Sequence, residues 1–76
     1  MEDKIKAVMA GILEIPADSI TDATTMETVD TWDSLRHMEI IVGLEDAFGI
    51  ELAAEDLMEM TSLAEIKRVL ASKGVK

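Results

Sequence analysis

The sequence contains no cysteine, which excludes several kinds of chemistry at once. The chain can form no disulfide, offers no thiolate nucleophile and cannot build a cysteine-based zinc site. A chain without disulfides is compatible with a reducing compartment, and we expect a cytoplasmic protein.

Long apolar segments are also missing. No stretch is long and apolar enough to span a membrane, and the N-terminus, MEDKIKAVMAG, lacks the basic start and uninterrupted apolar core of a signal peptide. We therefore expect no membrane insertion.

Basic residues are scarce. Seven lysines and arginines stand against sixteen acidic residues, which gives a formal net charge of −9. Nucleic acids and anionic membranes attract basic surfaces, so this balance argues against both and favours partners with basic patches. The excess of negative charge also implies self-repulsion, and we predict that added salt stabilises the fold.

What is present fits one small globular domain spanning residues 1–76. The hydrophobic content of 49% argues against disorder, although a chain of this length buries only about 60–65% of the surface that its unfolded form exposes. Six methionines accompany one tryptophan and one phenylalanine. The methionines either fill gaps in the core or make it soft enough to open around a ligand.

The apolar periodicity predicts an all-α fold, a small four-helix bundle with three main helices and a short third helix. The helices are expected at residues 2–14, 34–48, 54–59 and from Leu63 onward. Gly49 suits the end of the second helix, and Ser62 with Glu65 resembles a capping box before the last one.

A long loop, residues 15–33, separates the first two helices. It is longer than a compact domain usually tolerates without a reason. Apolar residues punctuate it and are expected to pin it onto the bundle: Ile15, Ile20, Met26, Val29 and Trp32.

The second helix carries two apolar faces. Ile40, Ile41, Leu44 and Phe48 form an ordinary core stripe. Leu35, Met38 and Val42 occupy a different arc, beside Glu39, Glu45 and Asp46. This second arc is either a docking surface for a basic-rimmed groove or a face that the loop or the short helix covers.

Asp33 and Ser34 stand at the start of that helix. Both residue types satisfy free N–H groups of a first helical turn, so capping alone accounts for them. Alternatively, Ser34 displays a hydroxyl that another molecule can reach. The two interpretations are compatible if Asp33 caps the helix while Ser34 points outward.

Asp33-Ser34-Leu35, followed by an amphipathic helix that continues HMEIIVGLEDAFGIEL, resembles the attachment motif of acyl carrier proteins. The resemblance extends over nearly the whole chain in size, acidity, long first loop and short third helix. It implies that Ser34 carries a covalent 4′-phosphopantetheine arm, installed by a phosphopantetheinyl transferase from coenzyme A with Mg²⁺. The thiol of that arm would hold acyl groups as thioesters, in a chain that has no thiol of its own.

The resemblance also implies roles for the neighbouring residues. Asp33 would help to orient the modifying enzyme and its metal. Partner enzymes with basic docking patches would bind a monomeric carrier through one surface of the second helix: Leu35, Met38, Glu39, Val42, Glu45 and Asp46. The chain would shuttle acyl intermediates in fatty-acid, polyketide or related acyl and aminoacyl biosynthesis.

Two features depart from the pattern of fatty-acid carriers. Thr31-Trp32 replaces the usual lead-in, and the basic pair Arg36-His37 follows Leu35, where it would dilute an acidic recognition face. These departures favour a dedicated carrier of a specialised pathway. We interpret Trp32 as an anchor of the loop and His37 as a partly buried structural residue.

Three rival functions remain. Asp33, Ser34 and His37 could suggest a hydrolase, but Asp33 and Ser34 point about 100° apart around a helix and nothing suggests a substrate cavity. A metal protein is disfavoured because the acidic residues are scattered and match no EF-hand loop. The third alternative is an acidic helical interaction module without a prosthetic group, in which Asp33 and Ser34 only cap the helix.

Overall fold

The computed structural model describes residues 1–75, and within them the chain forms four α-helices and no β-strand. The helices are α1 (Glu2–Leu13), α2 (Ser34–Phe48), α3 (Ala54–Glu59) and α4 (Leu63–Ser72). The predicted all-α bundle with a short third helix is confirmed.

The helix ends follow local signals. The Asp33 side chain caps α2, and Gly49 ends it with φ 64°, a left-handed conformation that glycine adopts without strain. Helix α1 ends one residue earlier than the predicted 2–14, because Glu14 takes the left-handed conformation with φ 59°. Ser62 accepts a hydrogen bond from the Glu65 N–H at 3.1 Å, but the Glu65 carboxylate binds Arg68. Only one half of the predicted capping box therefore forms.

The core consists of one apolar stripe from each long helix together with residues of the loop. In α1, Ile5, Met9 and Leu13 are buried, and in α2 Ile40, Ile41 and Leu44 are buried. The complete set of buried apolar residues is Ile5, Met9, Leu13, Ile20, Trp32, Ile40, Ile41, Leu44, Met60, Leu63, Ile66, Val69 and Leu70.

The long loop is held against this core along its length. Ile20 and Trp32 are buried, while Ile15, Met26 and Val29 pack on the core from partly exposed positions. Residues 17–19 form a short 3₁₀ turn, and Thr25 makes an isolated antiparallel bridge with Ser62. The prediction that apolar residues pin the loop is confirmed.

The methionines divide between core and surface. Met9 and Met60 are fully buried, whereas Met38 is 49% exposed and Met58 is 81% exposed. The high methionine content therefore does not describe the core alone, and the soft-core interpretation rests on fewer residues than the composition indicates.

Candidate functional site

At the start of α2, Asp33 caps the helix and Ser34 is exposed. The Asp33 carboxylate accepts a hydrogen bond from the Arg36 N–H at 2.8 Å, and the Asp33 carbonyl accepts one from the His37 N–H at 2.9 Å. Ser34 is the first residue of the helix and is exposed. Because Asp33 supplies the cap, Ser34 is not needed for it.

The hydroxyl of Ser34 differs from those of the other serines. Ser19 Oγ donates to the Pro16 carbonyl and Ser72 Oγ to the Val69 carbonyl, each at 2.6 Å, while Ser62 Oγ caps α4. Ser34 Oγ makes no hydrogen bond within residues 1–75. Ser34 is thus an exposed residue whose hydroxyl has no competing hydrogen bond inside the described chain.

The start of a helix also suits the charge of a phosphate ester. The positive end of the helix dipole and the free N–H groups of a first turn favour an anion. The described chain supplies no partner for the N–H groups of Ser34 and Leu35. An anionic group attached at Ser34 fits this position electrostatically.

Trp32 and His37 lie on either side of the Asp33-Ser34 pair and are buried. The Trp32 Nε1–H donates to His37 Nδ1 at 3.0 Å, and His37 Nε2 lies 2.8 Å from the Leu57 carbonyl oxygen of α3. Both ring nitrogens of His37 are thus engaged away from Ser34, so the hydrolase alternative lacks its base. The structural interpretations of Trp32 and His37 agree with this burial.

The outer arc of α2 is uncovered. Leu35 is 68% exposed, Met38 49% and Val42 52%. Together with Glu39 and Gly43 they line a shallow apolar groove, with Asp46 exposed further along the same arc. The sequence left open whether the loop or the short helix α3 covers this arc. Neither of them does.

Glu45 differs from the other residues predicted for this surface. It is partly buried, and its carboxylate accepts a hydrogen bond from the Leu52 N–H at 2.9 Å. Glu45 therefore holds the segment between α2 and α3 in place. A contact with a partner would have to share this carboxylate.

The expectation that Arg36 and His37 dilute the acidic face is wrong. His37 is buried, and Arg36 reaches back to α1, where its guanidinium donates to the Ile12 carbonyl and lies 3.6 Å from the Glu14 carboxylate. Thr31 Oγ1 donates to the neighbouring Leu13 carbonyl at 2.8 Å. Both side chains satisfy carbonyl groups at the end of α1, a role that the sequence did not indicate.

Shifted pKa values lie away from this site. The Lys67 ammonium, and then that of Lys6, lowers the pKa of the Glu2 carboxyl below its usual value. The Lys73 ammonium, together with the Ala53 N–H, lowers the pKa of Asp56. These ion pairs fasten α1, α3 and α4.

Two further classes of site, a membrane span and a metal centre, are absent from residues 1–75. This part of the chain has no helix long and apolar enough to cross a membrane. It also contains no group of three or more histidine, aspartate or glutamate side chains placed to hold a metal ion.

Comparison with known proteins agrees with this geometry. A family model described as the phosphopantetheine attachment site matches residues 3–70. Polyketide-8 synthase acyl carrier protein 2 of Streptomyces avermitilis is 36% identical over 73 residues, which cover 95% of this chain and 83% of that protein. An acyl carrier protein of a Picosynechococcus species is 27% identical over 71 residues, covering 93% of this chain and 88% of the relative.

The fold has a close counterpart among solved structures. The solution structure of the holo acyl carrier protein from Geobacter metallireducens superposes with a TM-score of 0.77 at 26% identity, covering 95% of this chain and 87% of that one. The chain therefore belongs to the acyl carrier protein family, whose members are carriers with a phosphopantetheine attachment site and not catalysts.

Proposed function

We propose that Ser34 is the residue to which 4′-phosphopantetheine is attached. The observation that carries this assignment is the contrast among the serines. Ser34 is exposed and its Oγ has no hydrogen bond within residues 1–75, whereas the hydroxyl groups of Ser19, Ser62 and Ser72 form hydrogen bonds inside the chain. In the modification, the Ser34 O–H bond breaks and its proton is released, while Ser34 Oγ bonds to the phosphorus that bears the pantetheine. The diphosphate P–O bond of coenzyme A breaks, and adenosine 3′,5′-bisphosphate leaves. The arm supplies a terminal thiol that carries acyl groups as thioesters.

Asp33 stabilises the backbone at the attachment position. Its carboxylate fixes the first turn of α2 through the Arg36 N–H, and the same side chain is exposed to an approaching transferase. We assign it a second role in orienting the transferase and its Mg²⁺. The start of α2 then stabilises the negative charge of the new phosphodiester.

The outer arc of α2 is the proposed docking surface for partner enzymes. Leu35, Met38 and Val42 provide apolar contact, and Glu39 and Asp46 provide negative charge beside it. A small apolar contact edged by charge suits partners with basic patches that must bind quickly and leave quickly. Glu45 belongs to this surface only in part, because Leu52 already engages it.

Residues 1–76 are proposed to act as one domain, a monomer in the cytoplasm. Self-repulsion at a net charge of −9 supports the monomer, and the absence of cysteine suits a reducing compartment. We further propose an acyl cargo of a polyketide or related specialised pathway. The support is the 36% identity to the polyketide relative, since Arg36 and His37 no longer argue for it.

The test is intact mass before and after incubation with coenzyme A, Mg²⁺ and a broad-specificity phosphopantetheinyl transferase. The wild type gains one phosphopantetheine, and Ser34→Ala gains none. Ser19→Ala and Ser72→Ala are matched controls that gain the group like the wild type. An unmodified starting chain that gains nothing with several transferases would leave an acidic helical interaction module as the function.

A further inference from the structure

The imidazole of His37 joins three parts of the chain through two hydrogen bonds. Its Nδ1 accepts from the Trp32 indole N–H at 3.0 Å, and its Nε2 lies 2.8 Å from the Leu57 carbonyl oxygen. Trp32 is 2% exposed and His37 8% exposed. The end of the long loop, the first turn of α2 and helix α3 thus meet at one buried ring.

Only one form of the ring makes both contacts. An indole N–H is a donor only, so His37 Nδ1 must offer a lone pair. A carbonyl oxygen only accepts, so Nε2 must carry the proton. The neutral ring protonated at Nε2 satisfies both neighbours, whereas the other tautomer and the imidazolium each place a proton against the Trp32 N–H.

The two residues flank the attachment turn in the sequence. Trp32 precedes Asp33 and Ser34, His37 follows them, and the His37 N–H also donates to the Asp33 carbonyl at 2.9 Å. We name the hydrogen-bonded pair Trp32 and His37 the indole–imidazole staple. Because both residues are buried, the staple ties the exposed turn to the core.

The staple also reaches helix α3, which is held to the rest of the chain by the partly buried Leu57 and by ion pairs of Asp56 and Glu59. Helix α3 has six residues, and none of them is buried. The Leu57 carbonyl that His37 binds is also an acceptor for the Met60 N–H at the end of α3. The position of α3 is therefore coupled to the ring that fixes the attachment turn.

We propose that Trp32 and His37 are positioning residues for the modification of Ser34. They hold the turn in the orientation that the transferase engages, and they couple that orientation to α3. This inference rests on the proposed attachment at Ser34. Neither side chain touches the reacting oxygen, so their effect is on presentation and not on the chemical step.

Trp32→Phe is the sharpest test, because it keeps an aromatic ring in the core and removes the N–H donor. A turn that samples several orientations binds the transferase only in the competent fraction, which raises KM and leaves kcat unchanged. We expect KM for the carrier to rise about three- to tenfold, the range that one hydrogen bond can contribute, with kcat at the wild-type value. Ile20→Val, a buried change in the same loop that removes no hydrogen-bonding group, is the control and keeps the wild-type KM.

A second pair of variants separates hydrogen bonding from packing. Glutamine at position 37 retains one acceptor and one donor, whereas leucine fills similar space and has neither. We expect His37→Leu to raise KM like Trp32→Phe, and His37→Gln to lie closer to the wild type. Equal KM values for the two variants would contradict the role of the hydrogen bonds.

Nuclear magnetic resonance of the unmodified chain tests the staple without the transferase. The ¹⁵N shifts of His37 should show the proton on Nε2, and Trp32→Phe should speed amide exchange at Met60 more than at Ile66 of α4. A proton on Nδ1 would overturn the staple itself. If the wild type is modified at Ser34 and Trp32→Phe has the same KM as Ile20→Val, the positioning role is overturned and the Ser34 assignment stands. If the wild type is never modified, both the Ser34 assignment and the positioning role are overturned.

Discussion

Gly43 lies in a crowded position and Gly11 in an open one, and the difference shows how closely α1 and α2 approach. A Cβ at Gly43 of α2 would lie 2.9 Å from Val8 Cγ1 of α1, closer than such atoms pack. A Cβ at Gly11 would meet nothing within 4 Å. The absent side chain at position 43 therefore allows the two helices to pack closely.

This contrast gives a paired prediction. Gly11→Ala should stabilise the fold by about 0.5–1 kcal/mol, because alanine restricts the unfolded chain and favours the helix. Gly43→Ala gains the same amount but overpacks the interface, so it should be less stable than Gly11→Ala by about 1–3 kcal/mol. Urea unfolding of both variants measures the gap, and equal midpoints would show that the helices can move apart freely.

Asp56 provides a pH-dependent prediction. The Lys73 ammonium, 2.9 Å away, and the Ala53 N–H lower the pKa of Asp56 in the folded chain. A lowered folded pKa contributes stability above the unfolded value of about 3.9, and this contribution disappears as the pH falls through the folded pKa. We expect Asp56→Asn to be less stable than the wild type at pH 7 and the difference to shrink below about pH 3.9.

The measurement is urea unfolding of both proteins between pH 7 and pH 3. Comparing the variant with the wild type removes most of the general change in surface charge that acidification brings. Glu51→Gln, at an exposed position, serves as the control for loss of one negative charge. A difference that stays constant across this range would exclude the Asp56–Lys73 pair as its cause.

At the scale of elements, α3 begins without a polar cap. Ala53 occupies the cap position with extended backbone, while the Asp56 carboxylate already accepts from its N–H. Ala53→Ser would add the missing acceptor and complete a capping box, which should stabilise the fold by about 1 kcal/mol. Thermal unfolding measures it, with Ala54→Ser as the matched control that adds a hydroxyl inside the helix and should not stabilise.

The outer arc of α2 gives the prediction for partner binding. Glu39→Lys reverses a charge beside the apolar groove and should lower kcat/KM of an acyl-transferring partner several-fold through KM, with weaker salt dependence. Glu27→Lys makes the same charge change on the exposed loop. Equal loss in both variants would indicate a general charge effect and not docking through α2.

The elements also show what the sequence can predict. The bounds of α2 and α3 agree with the prediction because caps and turns are local signals, such as Asp33 before α2 and Gly49 after it. The directions of Arg36 and Glu45 were not predictable. Each side chain satisfies a backbone group of another segment, the Ile12 carbonyl and the Leu52 N–H, which only the folded arrangement brings within reach.

The exposed apolar arc of α2 could be predicted only in part. Helical periodicity separated Leu35, Met38 and Val42 from the core stripe, but it could not decide whether another segment covers them. That question depends on the path of residues 15–33, which the pattern of the loop does not define. The structure leaves the arc open.

At the scale of the whole molecule, the basic side chains of residues 1–75 are engaged in contacts within the chain. Lys67 binds Glu2 and Asp22, Arg68 binds Glu59 and Glu65, and Lys73 binds Asp56. Lys6 pairs with Glu2, Arg36 with Glu14, and Lys4 donates to the Ala47 carbonyl. Acidic side chains without an ion pair in residues 1–75 are Asp3, Asp18, Glu27, Asp30, Asp33, Glu39, Glu45, Asp46, Glu51 and Glu55.

Added salt therefore has two opposing effects on the stability of the fold. It weakens the ion pairs, which are exposed and individually weak, and it screens repulsion within a net charge of −9. Repulsion acts among all the unpaired carboxylates, so we expect its relief to dominate. The melting temperature should rise between 10 and 200 mM NaCl, about the range over which the screening length falls from 30 Å to below 10 Å.

Two variants that change the net charge in opposite directions test this explanation. Asp18→Lys, at an exposed acidic position, makes the net charge less negative and should reduce the salt-induced rise in melting temperature. Lys67→Gln raises the net negative charge and removes a pair of contacts to Glu2 and Asp22, so it should be less stable than the wild type at low salt and gain more from added salt. A melting temperature that is flat or falls in the wild type would mean that the ion pairs outweigh the repulsion, and the acidic surface would then have to be explained by partner recognition alone.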